Sequence, residues 1–269
     1  MVQIPVQLVV CDIDDTLIHK DDHLNEEIIK IIQKLKRRGI QFTLATGRMP
    51  YRAESYARDA ELTIPFIANN GSILFDRGRM VWSRMLYAKV IQEITQHYME
   101  MYPQLTVIFS FTDRECPLVR TEWIRKRLGK YKGYDQTLGN TAEVWNQAVY
   151  KICVLDDSRS GIIGTFAEEL ECYRHEINFF QYGEFSIEIV ADGCSKASGL
   201  IRLIEYLSMQ TSCVMAVGDH TNDIELIRKA GIGVAVANAD PLLKAEADYV
   251  TTGERDQGVK EAIERFVFC

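Results

Sequence analysis

The segment Cys11–Thr16 concentrates acidic side chains directly after the apolar run Leu8–Cys11 and reads CDIDDT. In an extended backbone, residues two apart face the same side, so Asp12 and Asp14 should converge at the end of a strand. Ligand sites of open α/β sheets lie at the carboxyl ends of their strands. The alternative is a polar turn that merely ends the strand, because Asp and Thr are common residues in turns.

A second acidic pair, Asp219 and Asp223, follows another apolar run, Cys213–Val217. This pair could simply begin a helix, with Asn222 as the N-cap and Asp223 near the positive end of the helix dipole. Two carboxylates about 4 Å apart repel by about 4 kcal/mol at an effective dielectric constant of about 20. Gathering three or four of them at one sheet edge therefore calls for a cation, and carboxylate oxygens suit Mg²⁺.

Two further segment ends could complete a phosphate site. Thr46 and Gly47 close a predicted strand and could offer a hydroxyl group and a backbone N–H to a phosphoryl oxygen, although a plain turn before Pro50 would look the same. Lys196 lies at a predicted helix start, where a cation opposes the helix dipole. An anion beside Lys196 would explain that placement, whereas a solvated surface lysine is the simpler alternative.

The elements that must position these residues alternate between strand and helix patterns up to Ala68. Apolar runs predict the strands, and an apolar stripe after Asn25 predicts the first helix, which Asn25 can cap. The predicted elements are strands Leu8–Cys11, Phe42–Ala45 and Pro65–Ala68, with helices from Asn25 to Gly39 and from Pro50 to Ala60. This rhythm is typical of a parallel, doubly wound sheet. A hairpin of Ile73–Phe75 with Met80–Trp82 should follow.

The pattern changes between residues 84 and 191, where predicted strands come in neighbouring pairs with helices between them. The pairs are Thr106–Phe111 with Pro117–Arg120 and Glu176–Phe180 with Phe185–Val190, and the helices are Ala88–Met101 and Ser158–Glu171. Such runs predict an α+β insert with an antiparallel sheet, large enough to be a domain.

After Gly193 the parallel rhythm resumes. The predicted elements are a helix capped by Ser195 and ending at Leu207, strands Cys213–Val217 and Ile232–Val236, a helix from Asn222 between them, and a last helix capped by Asp240 before Pro241. We therefore predict an α/β fold, with a Rossmann-like, doubly wound parallel sheet core of residues 1–83 and 192–269. An inserted α+β cap of residues 84–191 interrupts this core.

Composition limits the partners and the compartment. The chain has 269 residues, and 31 Lys and Arg against 38 Asp and Glu give a net charge of −7, which argues against nucleic acid and anionic membranes as partners. The seven cysteines are scattered and form no C-x-x-C pair, which favours reduced thiols. Met1–Val10 lacks the basic start of a signal peptide, and no apolar stretch is long enough to span a membrane. We therefore expect a cytoplasmic protein, of unknown oligomeric state.

Taken in order, these segments resemble the four motifs of the haloacid dehalogenase-like superfamily. The matching segments are Asp12-x-Asp14-x-Thr16, Thr46-Gly47, Lys196 and Gly218-Asp219-x-x-Asn222-Asp223. The insert between the second and third motifs is similar to the cap of the Cof-type phosphatases, and Asn69-Asn70-Gly71 resembles a turn found in them. The resemblance covers the whole chain. It implies an Mg²⁺-dependent phosphatase that hydrolyses small phosphorylated metabolites, such as sugar phosphates, through an aspartyl-phosphate intermediate.

The resemblance also implies a role for each matching residue. Asp12 would be the nucleophile and a magnesium ligand, and Asp14 would be the general acid and base, with its backbone carbonyl at the metal. Asp219 would bind Mg²⁺, and Asp223 would support the metal site from close by. The phosphoryl group would be held by the Ile13 backbone, Thr46, Gly47, Lys196 and Asn222.

Two positions depart from the family pattern. Position 15 is aspartate where many members have glycine, which adds a charge beside the site. His220 follows Asp219 where small residues are frequent, and it could be a turn residue or could contact the substrate.

The residue types suggest the mechanism. A carboxylate is a weak nucleophile, so Mg²⁺ and Lys196 must make the phosphorus electron-poor. Asp14 would protonate the leaving oxygen and then deprotonate the attacking water.

A dehalogenase would need neither a metal nor a second catalytic aspartate. A phosphomutase of the same superfamily and a catalytically silent metabolite sensor stay open as alternatives. A signalling receiver domain fits less well, because such domains are shorter and their phosphorylated aspartate follows a later strand. The physiological substrate and the cap residues that contact it are not predicted.

Overall fold

The computed structural model describes residues 6–18 and 23–268, so Cys269 and part of the N-terminal segment Met1–Val10 lie outside the described residues. The chain divides into two compact units. The core unit consists of Met1–Ser83 and Ser195–Cys269, and the cap unit consists of Arg84–Cys194. The sequence places the end of the cap at residue 191. Among the described helices, none has the length and apolar composition needed to cross a membrane.

The first half of the core unit alternates strands and helices before a hairpin. Its elements are β1 (Leu8–Cys11), α1 (Glu26–Arg37), β2 (Gln41–Leu44), α2 (Pro50–Asp59), β3 (Phe66–Ala68), β4 (Ile73–Asp76) and β5 (Arg79–Ser83). Helix α1 begins where predicted, because the Asn25 side chain accepts a hydrogen bond from the Glu27 backbone N–H at 2.9 Å. The buried face of α1 consists of Ile28, Ile31, Ile32 and Leu35.

The cap unit contains a five-stranded antiparallel sheet in the order β11-β12-β10-β7-β8 and a separate pair of β6 with β9. Its elements are β6 (Leu86–Tyr87), α3 (Gln92–Met101), β7 (Thr106–Ser110), β8 (Glu115–Pro117), α4 (Glu122–Arg125), α5 (Ala142–Trp145), β9 (Ala148–Val149), β10 (Lys151–Leu155), α6 (Ile162–Leu170), β11 (Ile177–Tyr182) and β12 (Ser186–Ala191). This unit is an α+β arrangement.

Two cap elements differ from the prediction. The strand predicted at Pro117–Arg120 is observed as β8, because the Phe111 N–H donates to the Arg114 carbonyl and this tight turn sets Glu115 opposite Ser110. The helix predicted from Ser158 begins only at Ile162. The Asp156 carboxylate accepts hydrogen bonds from the backbone N–H groups of Ser158 and Ser160, which holds this segment as a loop.

The second half of the core unit returns to the parallel pattern. Its elements are α7 (Lys196–Leu207), β13 (Val214–Gly218), α8 (Ile224–Lys229), β14 (Ile232–Ala235), α9 (Pro241–Glu246), β15 (Tyr249–Val250) and α10 (Arg255–Ile263). Both predicted N-caps are confirmed. The Ser195 hydroxyl accepts from the Ser198 N–H at 3.2 Å, and the Asp240 carboxylate accepts from the Leu242 N–H at 2.8 Å.

The core sheet has the strand order β15-β14-β13-β1-β2, and all of its pairs are parallel. Strand β1 lies inside the sheet, between β13 and β2, and is fully buried, as its apolar sequence predicts. The predicted α/β fold with a parallel core sheet is thus confirmed. The third strand differs, because β3 pairs antiparallel with β4 and joins β2 through the single parallel bridge Ala45–Ile67. The hairpin β4–β5 therefore continues from β3 as a small antiparallel sheet of its own.

Candidate active site

The carboxyl ends of β1 and β13 bring three buried carboxylates together. Asp12 directly follows β1, and its backbone N–H donates to the Val217 carbonyl at 3.0 Å, which continues the pairing with β13. Asp219 follows β13, and Asp223 lies one short turn later. Ligand atoms of Asp12, Asp219 and Asp223 all lie within 4.8 Å of one another. We call these three residues the acidic cluster.

Lys196 reaches the acidic cluster from the first residue of α7. Its Nζ donates to Asp12 Oδ1 and to Asp223 Oδ1, at 2.6 Å in each case. The side chain is only 1% exposed, so the alternative of a solvated surface lysine is wrong. Burial alone would lower the pKa of Lys196, but the two carboxylates raise it above its ordinary value, so this lysine stays charged.

The acidic cluster holds more negative charge than Lys196 can balance. Burial raises the pKa of Asp12 well above its ordinary value, and repulsion from Asp223 and Asp219 adds to the increase despite Lys196. Burial, followed by repulsion from Asp223, raises the pKa of Asp219 to about 7. The Thr16 hydroxyl donates to Asp219 Oδ1 at 2.7 Å and opposes that shift. Both carboxylates are therefore costly to ionise without a further cation.

The turn after β13 fixes Asp223. Its Oδ2 accepts from the backbone N–H groups of Asp219 and His220, at 3.2 Å each. The carboxylate approaches the backbone closely, because a Cβ atom at Gly218 would lie 2.5 Å from the Asp223 carboxyl carbon. The alternative of Asn222 as an N-cap is wrong, since Asn222 lies inside the short turn Thr221–Asp223 and its side-chain amide donates to Asn70 Oδ1 at 3.0 Å.

Two glycines let the start of α7 pack against the Asn69–Gly71 turn. Gly71 has φ +85°, and a Cβ atom there would lie 1.8 Å from the Ser195 carbonyl oxygen. A Cβ atom at Gly199 would also clash, because it would lie 2.5 Å from Ile67 Cγ2. This close approach places Lys196 at the acidic cluster. It also explains why the asparagine–glycine turn needs a glycine at position 71.

Gly71→Ala should therefore lower the free energy of unfolding by more than a left-handed backbone alone would. Gly78→Ala is the matched control, because Gly78 has φ +79° and no atom within 4 Å of the Cβ position. A left-handed residue costs about 1–2 kcal/mol, which is the loss expected for the control. The clash with Ser195 should make the Gly71→Ala loss at least about 1 kcal/mol larger. Urea unfolding measures both, and equal losses would contradict the close packing.

Asp14 is not a member of the acidic cluster, although its charge contributes to the raised pKa of Asp12. Arg48 binds the Asp14 carboxylate through two nitrogens, with Nε 2.8 Å from Oδ2 and Nη2 in contact with Oδ1. The Ile13 carbonyl accepts from the N–H of Ile18 and closes the turn that follows. The convergence of the Asp12 and Asp14 side chains stays a prediction, as does the backbone carbonyl of Asp14 as a metal ligand.

Arg48 is the site residue that sequence reasoning missed. It is 9% exposed, and its Nη1 donates to the Tyr56 hydroxyl on α2 at 3.1 Å, which fixes the guanidinium group. The sequence does contain a signal for Arg48, because this cation directly follows Thr46-Gly47 at the end of a strand. Its side-chain partner could not be found from sequence, because the direction of Asp14 depends on the turn that follows β1.

The other predicted phosphate-binding residues lie at the same edge of the core sheet. Thr46 follows β2, is fully buried, and accepts from the Arg48 N–H at 3.1 Å, so its hydroxyl proton can still be donated. Ile13 is fully buried beside Asp12, and Gly47 is partly exposed. His220 is partly buried, and burial lowers its pKa. Its backbone N–H donates to Asp223 Oδ2, which fits a turn residue. Contacts of these groups with a phosphoryl group stay predictions.

Comparisons with known proteins agree with this arrangement. A family model described as haloacid dehalogenase-like hydrolase matches residues 9–263. The chain is 26% identical over 265 residues to the 5-amino-6-(5-phospho-D-ribitylamino)uracil phosphatase YcsE of Bacillus subtilis, covering 98% of this chain and 97% of that protein. A haloacid dehalogenase-like hydrolase from Bacteroides thetaiotaomicron has a TM-score of 0.80 and 25% identity, and covers 97% of this chain and 99% of its own.

A subclass IIB sugar phosphatase of the same superfamily has the same fold, with a TM-score of 0.82, 21% identity and coverage of 97% of this chain and 99% of its own. The comparisons confirm both the resemblance inferred from the four motifs and the predicted enzyme class, a hydrolase of phosphate monoesters. The chain belongs to the haloacid dehalogenase-like hydrolase family.

Proposed function

We propose that this enzyme is an Mg²⁺-dependent phosphatase that hydrolyses small phosphorylated metabolites through a phosphorylated Asp12. The charge balance at the sheet edge carries the proposal. Asp14 is paired with Arg48, and among the described residues the three carboxylates of the acidic cluster share Lys196, so their full ionisation leaves an excess of two negative charges. An excess of two buried charges matches one divalent cation, and oxygen ligands favour Mg²⁺ among the common ones.

The donor atoms fit such a cation. Asp12 and Asp219 each have one oxygen engaged, by Lys196 and by Thr16, and the second oxygen of each would bind the metal. Asp223 receives hydrogen bonds from Lys196 and from two backbone N–H groups, so it would support the site rather than supply a main ligand. The Asp14 carbonyl is the further proposed ligand. Bound Mg²⁺ would polarise the phosphoryl group and neutralise part of its charge.

The side chains of the protein would perform the remaining steps. The Asp12 carboxylate attacks phosphorus, while Lys196 balances charge on the phosphoryl oxygens. The Ile13 and Gly47 N–H groups, the Thr46 hydroxyl and the Asn222 amide would hold those oxygens. Asp14 gives its proton to the leaving oxygen and then takes one from the water that attacks phosphorylated Asp12.

The relatives support a small, polyhydroxylated leaving group, because one is named for a phosphoribitylamino compound and another for sugar phosphates. For this chain we propose the same substrate class, selected by the cap of residues 84–191. The six described cysteines have free thiols, which is compatible with the proposed cytoplasmic location. Screening phosphorylated metabolites for phosphate release, with and without a sugar bisphosphate activator, tests the substrate class and separates a phosphatase from a phosphomutase.

Removal of the metal should abolish phosphate release from p-nitrophenyl phosphate, and Mg²⁺ should restore it. Stability gives a second measurement that does not depend on activity. The folded-state pKa of Asp219 is about 7, above its unfolded value, so this group favours folding below pH 4 and loses that contribution as the pH rises through 7. The contribution of Asp219 should therefore make the melting temperature of the metal-free enzyme lower at pH 8 than at pH 5.

Mg²⁺ should raise that melting temperature more at pH 8, where Asp219 is largely ionised, than at pH 5, where a proton competes with the metal for this carboxylate. Asp219→Asn is the control variant, and it should lose most of both the pH effect and the Mg²⁺ effect. Full activity after chelation, together with no Mg²⁺-induced stabilisation at pH 8, would rule out the proposed metal site.

A further inference from the structure

Asp15 has a conformation that needs support. Its φ is +55°, in the left-handed region that glycine adopts freely and that most other residues avoid. Two contacts from distant loops hold it there. The Asp15 carboxylate accepts from Arg255 Nε at 3.1 Å, and its backbone carbonyl accepts from Asn238 Nδ2 at 2.8 Å.

The two supporting residues are also bound to each other. Asn238 Oδ1 accepts from the backbone N–H of Arg255 at 2.9 Å, and Arg255 itself has φ +50°. A single asparagine side chain thus fixes the backbones of two left-handed residues that lie 240 positions apart in sequence. We call Asp15, Asn238 and Arg255 the clasp. It joins the turn after β1 to the loops after β14 and β15.

The turn that the clasp holds carries two groups of the proposed mechanism. Asp15 lies between Asp14 and Thr16, and the Thr16 hydroxyl donates to Asp219 at 2.7 Å. Arg48 holds only the carboxylate of Asp14, so the backbone of that residue depends on its neighbours. The clasp also balances charge. Arg255 offsets the negative charge of Asp15, and repulsion from Asp15 contributes to the raised pKa of Asp219.

We propose that Asn238 and Arg255 are positioning residues that act through the backbone of Asp15 to set the place of Asp14. This inference rests on the proposed function, because the catalytic role proposed for Asp14 is the reason for holding that turn. The side chains of Asp15 and Arg255 are 50% and 31% exposed, and an ion pair this exposed contributes little to stability. The effect of the clasp should therefore appear in turnover and in local mobility rather than in the melting temperature.

The test uses Asn238→Ala, which removes both bonds of the asparagine, and Asp15→Asn, which keeps a residue tolerant of positive φ but removes the charge. Loss of catalytic alignment should lower kcat for p-nitrophenyl phosphate about tenfold, with KM within about twofold of wild type. Amide hydrogen exchange in a peptide spanning residues 12–18 should become faster in Asn238→Ala. Glu254→Gln is the control, because it removes only the negative charge of an exposed partner 3.3 Å from Arg255 Nη1 and should leave kcat and exchange unchanged.

A second background separates positioning from a general structural defect. In an Asp14→Asn enzyme the carboxyl group being positioned is gone and only the backbone carbonyl remains, so Asn238→Ala should lower the residual turnover by a clearly smaller factor than in the wild-type background. An equal fold-loss in both backgrounds, or wild-type kcat in Asn238→Ala, overturns the proposal. If Asn238→Ala does not fold, Asp15→Asn carries the same comparison. If the wild-type enzyme releases no phosphate from any ester, the proposed function fails. The exchange of residues 12–18 then still decides whether the clasp holds the turn.

Discussion

Asp14→Asn should release about one nitrophenol per active site from p-nitrophenyl phosphate in a rapid burst and then stall. Nitrophenolate leaves without a proton, so the first step does not need Asp14. The second step still needs a base for the attacking water, and loss of general base catalysis typically costs about 10²–10⁴-fold. The asparagine keeps the backbone carbonyl proposed to bind the metal, and its amide can still accept one hydrogen bond from Arg48.

The stalled enzyme should carry the phosphoryl group on Asp12. Borohydride reduction followed by peptide mass spectrometry should find homoserine at position 12. Asp59→Asn, at the last residue of α2, is the control and should turn over without a stalled burst. Slow turnover with no burst and an unmodified Asp12 would favour direct attack by water. Modification of another carboxylate would show that a different residue is the nucleophile.

Lys196→Met should produce the largest loss of stability. The methionine fills the space of a side chain that is 1% exposed, but it leaves the buried carboxylates of Asp12 and Asp223 without their shared cation. Removing one partner of a buried ion pair typically costs about 3–5 kcal/mol. Urea unfolding at pH 8 should show a loss of this size, and activity should fall below detection because the phosphoryl oxygens also lose their cation.

Burial raises the pKa of Asp12, so protonation of Asp12 should reduce this loss, and Lys196→Met should be less destabilising at pH 5 than at pH 8. The control is Lys229→Met, which removes an exposed lysine at the end of α8 and should change stability by less than about 0.5 kcal/mol. Adding Asp223→Asn to Lys196→Met should recover part of the stability. The same small loss for both lysine variants would contradict the buried charge cluster.

The sequence predicts well those features that depend on local pattern. Continuous apolar runs predict the buried parallel strands, and the acidic residues that follow β1 and β13 meet because parallel neighbours end at the same edge. Helix α1 is predicted by its cap and its apolar face together. A cation at a helix start indicated that Lys196 has an anion beside it, but that placement does not identify Asp12, 184 residues away, as its partner.

The features that the sequence did not predict depend on contacts between residues that are far apart in the chain. Strand β3 has an apolar sequence suited to the core sheet, yet the hairpin β4–β5 takes its other edge as an antiparallel neighbour. The partner of Asp14 was not expected, because Arg48 follows a different strand and meets Asp14 only in the folded sheet. Asp15, a departure from the family pattern with no expected consequence, proves to be the anchor for Asn238 and Arg255.

The interruption of the core by the cap determines the order in which the chain can fold. The interior strand β1 pairs with β13 from Leu8–Val214 to Cys11–Val217, so this pairing must wait until the cap has been synthesised. The cap sheet, in contrast, pairs strands closer in sequence, and local contacts form faster than distant ones. On the ribosome, Asp12 emerges early but meets Lys196 and Asp223 late. A nascent chain that ends before Asp223 therefore has an unfinished sheet, with β1 open along one edge, and depends on chaperones or rapid completion to avoid aggregation.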